Sequence, residues 1–86
     1  MSAEVTMYST RFCPYCMRAR SLLDHHRVQY RDIGVDGAPA LRREMMELSG
    51  RHTVPQIWIG DRHIGGFDDL HLLERQGKLD ELFNAA

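Results

Sequence analysis

The chain has 86 residues, of which 43% are hydrophobic and 27% charged, with a formal net charge of -1 at pH 7. That length supports one small folded domain over residues 1–86, and that apolar content excludes an intrinsically disordered chain. The near-zero charge supplies no basic field for nucleic acid or an anionic membrane, and no apolar run approaches the roughly 20 residues of a membrane-spanning helix.

Met1-Ser2-Ala3-Glu4 lacks the basic and apolar regions of an export signal, which predicts a cytoplasmic protein. Val5-Thr6-Met7-Tyr8 reads as a first strand. From Pro14 the pattern turns helical. Cys16, Ala19, Leu22, Leu23 and His26 recur at spacings of three and four and face one side, with Arg18, Arg20 and Asp24 on the other. Pro14 suits the first helical position, where its missing N–H costs nothing. Val28 to Ile33 partly alternates and reads as a second strand, at a sheet edge. Strand, helix and strand in succession predict a βαβ unit with parallel strands and a right-handed crossover. Gly34 to Pro39 is a turn. Leu41, Met45 and Leu48 then predict an amphipathic helix carrying an Arg43–Glu47 pair and stopping at Gly50.

Thr53-Val54-Pro55 leads into a compact apolar strand, Gln56-Ile57-Trp58-Ile59, expected to be buried on both faces. Gly60-Asp61 is a turn signal before a short strand, Arg62-His63-Ile64. After Gly65-Gly66, Asp68 and Asp69 open a third helix with Leu70 and Leu73 inward. Acids suit its positive end. Gly77 closes it, and Lys78 to Phe83 forms a final helical turn or two. The order β-α-β-α-β-β-α predicts an α/β fold, a four-stranded mixed sheet in the order 2-1-3-4 with helices on both faces.

The chain has two cysteines, Cys13 and Cys16, in the run Cys13-Pro14-Tyr15-Cys16. Two are too few for a disulfide scaffold, and in a reducing compartment a close pair is catalytic or metal-binding rather than structural. The pair sits where the first strand gives way to the first helix. Unpaired N–H groups and the helix dipole stabilise a thiolate there. Cys13 falls in the N-cap region and is expected to be the exposed thiol, with the N–H groups of Tyr15 and Cys16 pointing at its sulfur. Cys16 lies inside the first turn. This asymmetry proposes thiol–disulfide exchange in which Cys13 attacks and Cys16 resolves. Arg11 can add positive charge nearby. The competing reading is a zinc ligand pair, but a structural site needs four ligands. The five histidines, His25, His26, His52, His63 and His71, supply no second pair at zinc-finger spacing.

With Cys13-Pro14-Tyr15-Cys16, Thr53-Val54-Pro55-Gln56 and Gly65-Gly66-Phe67-Asp68-Asp69 in place, the chain resembles a dithiol glutaredoxin of the small bacterial glutaredoxin 3 type. The likeness runs from Val5 to about Leu82. It implies the thioredoxin fold in its smallest form, matching the element order above. It also implies a cis Pro55 beside the cysteines, with Val54 offering its backbone N–H and C=O to the cysteinyl part of glutathione. Pro55 also fits a plain strand-start proline. Thr53 belongs to the same motif. Gly66 and Phe67 lie where backbone approaches the ligand, and the following helix offers N–H groups to the γ-glutamyl carboxylate. Asp68 would accept from the γ-glutamyl ammonium; it also fits a plain N-cap. Tyr15 would flank the glutathione sulfur. Arg51 would pair with the glycine carboxylate, or is a solvated charge after a helix end. Relatives usually carry a lysine three residues before the first cysteine. Here that position is Thr10, and Arg11 follows it. Phe67 stands where some relatives have a further cysteine.

The resemblance implies a glutathione-dependent thiol–disulfide oxidoreductase acting on glutathionylated or disulfide-containing proteins, ribonucleotide reductase among the partners the family allows. Glutathione is the reducing co-substrate, no metal is expected, and the chain is expected to be a monomer without nucleic-acid or membrane partners. Two other readings stay open beside zinc. One is an electron donor fed by thioredoxin reductase. The other is a carrier of an iron–sulfur cluster held by Cys13 of two chains, against which the stiff Pro14 turn argues.

Overall fold

A computed structural model describes residues 3–84. Its elements are β1 (Val5–Ser9), α1 (Pro14–His25), β2 (Tyr30–Gly34), α2 (Pro39–Ser49), β3 (Gln56–Ile59), β4 (Arg62–Gly65), α3 (Phe67–Arg75) and α4 (Leu79–Asn84). The four strands form one sheet in the order β2-β1-β3-β4, as the sequence predicts. β1 runs parallel to β2, with Val5 opposite Tyr30, and antiparallel to β3, with Val5 opposite Ile59. β3 and β4 are antiparallel, with an irregularity at Ile57 and Trp58.

Alternation along the strands divides the core in two, because successive side chains point to opposite faces. Val5, Met7, Ile57 and Ile59 face α1, α3 and α4, where they pack with Ala19, Leu23, Leu70, Leu79 and Phe83. Tyr8 faces the other way and meets Val35 and Met45, with Ile33, Val54 and Trp58 at the margin. Trp58 meets Tyr8 edge-on at 5.4 Å between ring centroids.

The second face is thinner than the sequence pattern suggests. On α2 only Met45 is buried; Leu41 is 37% and Leu48 60% exposed, contrary to their expected inward placement. Between α2 and the sheet lies an open groove lined by Tyr8, Ile33, Glu44, Leu48 and Trp58, so the helix touches the sheet over little of its length. A polar contact bridges that gap: the Tyr8 hydroxyl donates to Glu44 Oε2 at 2.7 Å. Burial and the adjacent carboxylate push the Tyr8 hydroxyl up to about 12. Arg43 and Glu47 are exposed and form no ion pair among the described residues.

The second strand starts two residues later than its alternation suggests, because the end of α1 uses Val28. The Val28 N–H bonds Leu23 O at 3.3 Å and the Arg27 N–H bonds Asp24 O at 3.0 Å, with Arg27 left-handed at φ 58°. These are the two hydrogen bonds of a Schellman cap. α3 ends the same way, with Gly77 at φ 69°.

His26, expected on the apolar side of α1, is its C-cap and joins three helices. Its Nε2 lies 2.6 Å from Glu74 Oε2 and its Nδ1 3.0 Å from Asp80 Oδ1, and its ring packs on Phe83. The side chain is 12% exposed. Burial disfavours the imidazolium, but the two carboxylates outweigh it and raise the His26 pKa. A raised folded pKa stabilises fully below the unfolded value of about 6.5 and loses that stabilisation as pH rises through the folded pKa. His26→Gln is therefore expected to cost on the order of 1–2 kcal/mol at acidic pH, from the lost charge-assisted bonds. In urea titrations the gap to the parent should be widest below about pH 6.5 and shrink towards pH 9; a gap that grows with pH would contradict this linkage.

Candidate active site

The chain leaves β1 at Ser9 and enters α1 at Pro14, and Cys13 between them is the N-cap at φ -88°, ψ 119°. Its sulfur accepts the Cys16 N–H at 3.4 Å, so the thiol takes the place of a capping hydroxyl. The same sulfur lies 3.8 Å from the Val54 carbonyl oxygen, to which its S–H donates. Both cysteines are free thiols; Cys13 is partly exposed and Cys16 is fully buried. Burial pushes the Cys16 thiol up to about 11, only partly opposed by the Thr10 backbone bond to its sulfur.

Beside Cys13 opens a groove lined by Tyr15, Arg51, Thr53, Val54, Pro55, Gly66, Phe67, Asp68 and Asp69. The Val54–Pro55 bond is cis, as the resemblance implies, and Pro55 is buried. The fold thus brings three separate stretches to one place: the start of α1, the loop before β3 and the start of α3. The smaller groove adjoins Cys13 through Val54, whose carbonyl the thiol meets, whereas the larger groove under α2 touches neither cysteine, so the chemistry assigns the smaller one.

A glutaredoxin family model matches residues 5–64. A glutaredoxin of Pseudomonas aeruginosa is 54% identical over 81 residues, covering 94% of this chain and 96% of that protein. Glutaredoxin 3 of Escherichia coli is 49% identical over 80 residues, covering 93% and 96%. The chain belongs to the glutaredoxin family. It is of the dithiol, glutaredoxin 3 kind, a glutathione-dependent disulfide oxidoreductase. Among solved structures, a buckwheat glutaredoxin–glutathione complex matches with a TM-score of 0.85 and 32% identity, covering 92% of this chain and 74% of that one.

In this glutaredoxin Arg11 is the candidate that lies outside the groove lining. Its Nε is 2.9 Å from Asp36 Oδ2, with the side chain 78% exposed. The Arg11 hydrogen bond holds the Asp36 carboxyl below the usual range, and the carboxylate in turn offsets the charge of Arg11. Asp68 is exposed and makes no side-chain hydrogen bond among the described residues, so it is not the helix cap. Gly66 is the N-cap, and its N–H donates to Asp69 Oδ2 at 2.9 Å. Among the described residues no three His, Cys, Asp or Glu side chains gather as a metal site.

Three residues to which the sequence pattern assigns no role at the site, Asp69, Gly65 and Gln56, hold it in place. Asp69 accepts both the Gly66 N–H and Arg51 Nη1, the latter at 3.1 Å, tying the loop before β3 to the start of α3. Its spacing from Gly66 is that of the reciprocal half of a capping box, a readable signal. Gly65 must be glycine: φ is 118°, and a Cβ there would collide with the Asp69 carboxylate. Gln56 is fully buried in the otherwise apolar β3. Its Nε2 donates to Thr53 O at 3.0 Å, and its Oε1 is 2.8 Å from His63 Nε2, fixing the loop that carries Val54.

Burial would raise the Asp69 pKa, but the Gly66 N–H and Arg51 outweigh it and hold the carboxyl below the usual range. A depressed carboxyl pKa stabilises above the unfolded value and ceases to do so as pH falls through the folded one. Asp69→Ala should cost about 1–2 kcal/mol at neutral pH, measured by urea unfolding. That difference should narrow as pH drops below about 4.

Proposed function

We propose that this glutaredoxin reduces protein–glutathione mixed disulfides and protein disulfides, with Cys13 as the nucleophile and Cys16 as the resolving thiol. The difference in burial between the two sulfurs carries the assignment. Cys13 is reachable and has a backbone donor on its sulfur, whereas Cys16 has no surface at all. A large disulfide substrate can therefore be met only by Cys13.

In the monothiol route the Cys13 thiolate attacks the glutathionyl sulfur of a mixed disulfide. The protein leaves as a thiolate that takes up a proton. A second glutathione attacks the Cys13–glutathione bond, giving oxidised glutathione and the free Cys13 thiol. In the dithiol route Cys13 opens a protein disulfide and Cys16 attacks the Cys13 sulfur of the mixed disulfide, expelling the second protein thiol. Two glutathiones then reduce the Cys13–Cys16 bond. The two electrons delivered in each cycle come from glutathione.

The groove supports glutathione as the co-substrate, because it places an acid and a base on either side of an exposed peptide edge. The backbone of Val54 pairs with the cysteinyl residue in the manner of an added strand. Tyr15 flanks the sulfur. Asp68, uncommitted to any cap, accepts the γ-glutamyl ammonium. The N–H groups at Phe67 and Asp68 face the adjoining carboxylate. Arg51, next to Thr53, meets the glycine carboxylate, and Arg11 can add to it only by leaving Asp36. The buckwheat relative's solved complex with glutathione supports the same ligand. A reducing cytosol is the compartment this cycle requires, with a monomer acting on glutathionylated proteins and, among disulfide substrates, ribonucleotide reductase.

Two sets of variants test the reading. Cys16→Ser should keep deglutathionylation and lose most reduction of protein disulfides, whereas Cys13→Ser should lose both, as followed by coupled oxidation of glutathione. Loss of both activities in Cys16→Ser would reverse the roles. Asp68→Ala should raise KM for a glutathionylated peptide about three- to tenfold, the loss of a partly solvated charge pair worth about 0.7–1.4 kcal/mol. An unchanged KM would remove Asp68 from the site.

A further inference from the structure

Behind Cys16 lies a polar cluster that the cycle above does not use. Arg20, expected from periodicity on the polar side of α1 away from Cys16, follows it by one helical turn and so neighbours it along the helix, half-buried. Its Nε donates to Asp32 Oδ2 at 2.7 Å, while its Nη2 donates to Ser9 Oγ at 2.9 Å and to the Thr10 carbonyl at 3.2 Å. The Ser9 hydroxyl donates to Asp32 Oδ1. Ser9 is buried at the end of β1, and its carbonyl accepts the Val35 N–H at 2.8 Å. Burial disfavours the Cys16 thiolate, and the backbone of the next residue, Thr10, partly opposes that. Asp32 therefore holds one edge of the guanidinium, and the other edge holds the Ser9–Thr10 segment.

We propose that Arg20 is a positioning residue for the resolving thiol: anchored by Asp32 and Ser9, it holds the Ser9–Thr10 segment in place and sets a positive charge one helical turn from that buried sulfur. The groups that face Cys16 are Cys13 and Arg20; those that face Arg20 are Asp32, Tyr30 and Cys16. Cys16 must lose its proton inside the core before its sulfur can attack Cys13, and burial opposes that loss. Arg20 and the Thr10 backbone favour the anion. Arg20 thus governs the dithiol route, while Cys13 keeps its own donor, the Cys16 N–H. The inference rests on the role of Cys16 given above but not on glutathione.

Reaction of the reduced protein with dithiobis-nitrobenzoate separates the steps without glutathione. Cys13 attacks the reagent and releases one thionitrobenzoate, a phase that scales with reagent concentration. Cys16 then attacks the Cys13 sulfur and expels the second thionitrobenzoate in a concentration-independent phase, leaving the Cys13–Cys16 disulfide. A unit rise in the pKa of Cys16 lowers its thiolate tenfold and returns about threefold in nucleophilicity, a net loss of about three- to fourfold. Arg20→Met should slow the second phase by at least that factor and move its pH profile to higher pH, with the first phase little changed. Arg20→Lys should restore most of the rate. Asp32→Asn, which frees Arg20, should slow the second phase in part. An unchanged second phase, equal slowing of both phases, or no rescue by lysine would overturn the proposal. Were glutathione the wrong co-substrate, both phases would persist.

Discussion

The site depends on one arrangement at the start of α1, where the sulfur of Cys13 caps the helix and the Cys16 N–H points at it. The same turn that offers Cys13 a donor carries the Cys16 side chain into the core. A reactive, reachable sulfur and a buried, waiting one are thus two consequences of one helical turn. Pro14 begins that turn, its fixed φ matched to the helix and its missing N–H not required.

Everything else in the fold serves to bring a ligand surface to that turn. The larger half of the core, built from alternate residues of β1 and β3, clamps α1 and α3 on one face of the sheet. Their N-terminal ends then lie beside the loop before β3. α2 contributes little to this, with a single buried methionine and an open groove beneath it. The asymmetry follows from which face each strand residue occupies: Val5, Met7, Ile57 and Ile59 all lie on the α1 and α3 side.

Loops that line a site must be held, and here short polar tethers hold them. Asp69 fixes Gly66 and Arg51, Gln56 fixes Thr53, and Arg20 fixes Ser9 and Thr10. Each tether pairs polar groups and holds a segment that borders the groove or the two thiols. His26 performs the same service for the far end of α1, gathering α3 and α4 around a single imidazole.

Local patterns determined the elements and the pair of thiols, because strand alternation and a proline at a helix start are properties of neighbouring residues, while the strand order followed as an expectation from the topological rules for βαβ units. The ranking of Cys13 over Cys16 followed from the local pattern too. What the pattern could not supply were contacts between distant stretches. Leu41 and Leu48 have the spacing of an apolar face, yet the sheet offers them no surface. Asp68 and Asp69 read alike as helix-starting acids, and only the approach of Arg51 and the Gly66 N–H makes Asp69 the structural one and leaves Asp68 free for a ligand. Arg11 reads as charge beside the thiol until Asp36 is seen to hold it. Arg20 reads as an exposed charge until β2 brings Asp32 against it. For Asp69, Arg11 and Arg20, hydrogen-bond partners 12 to 25 residues away decide the role, and only folding sets which partner a side chain finds.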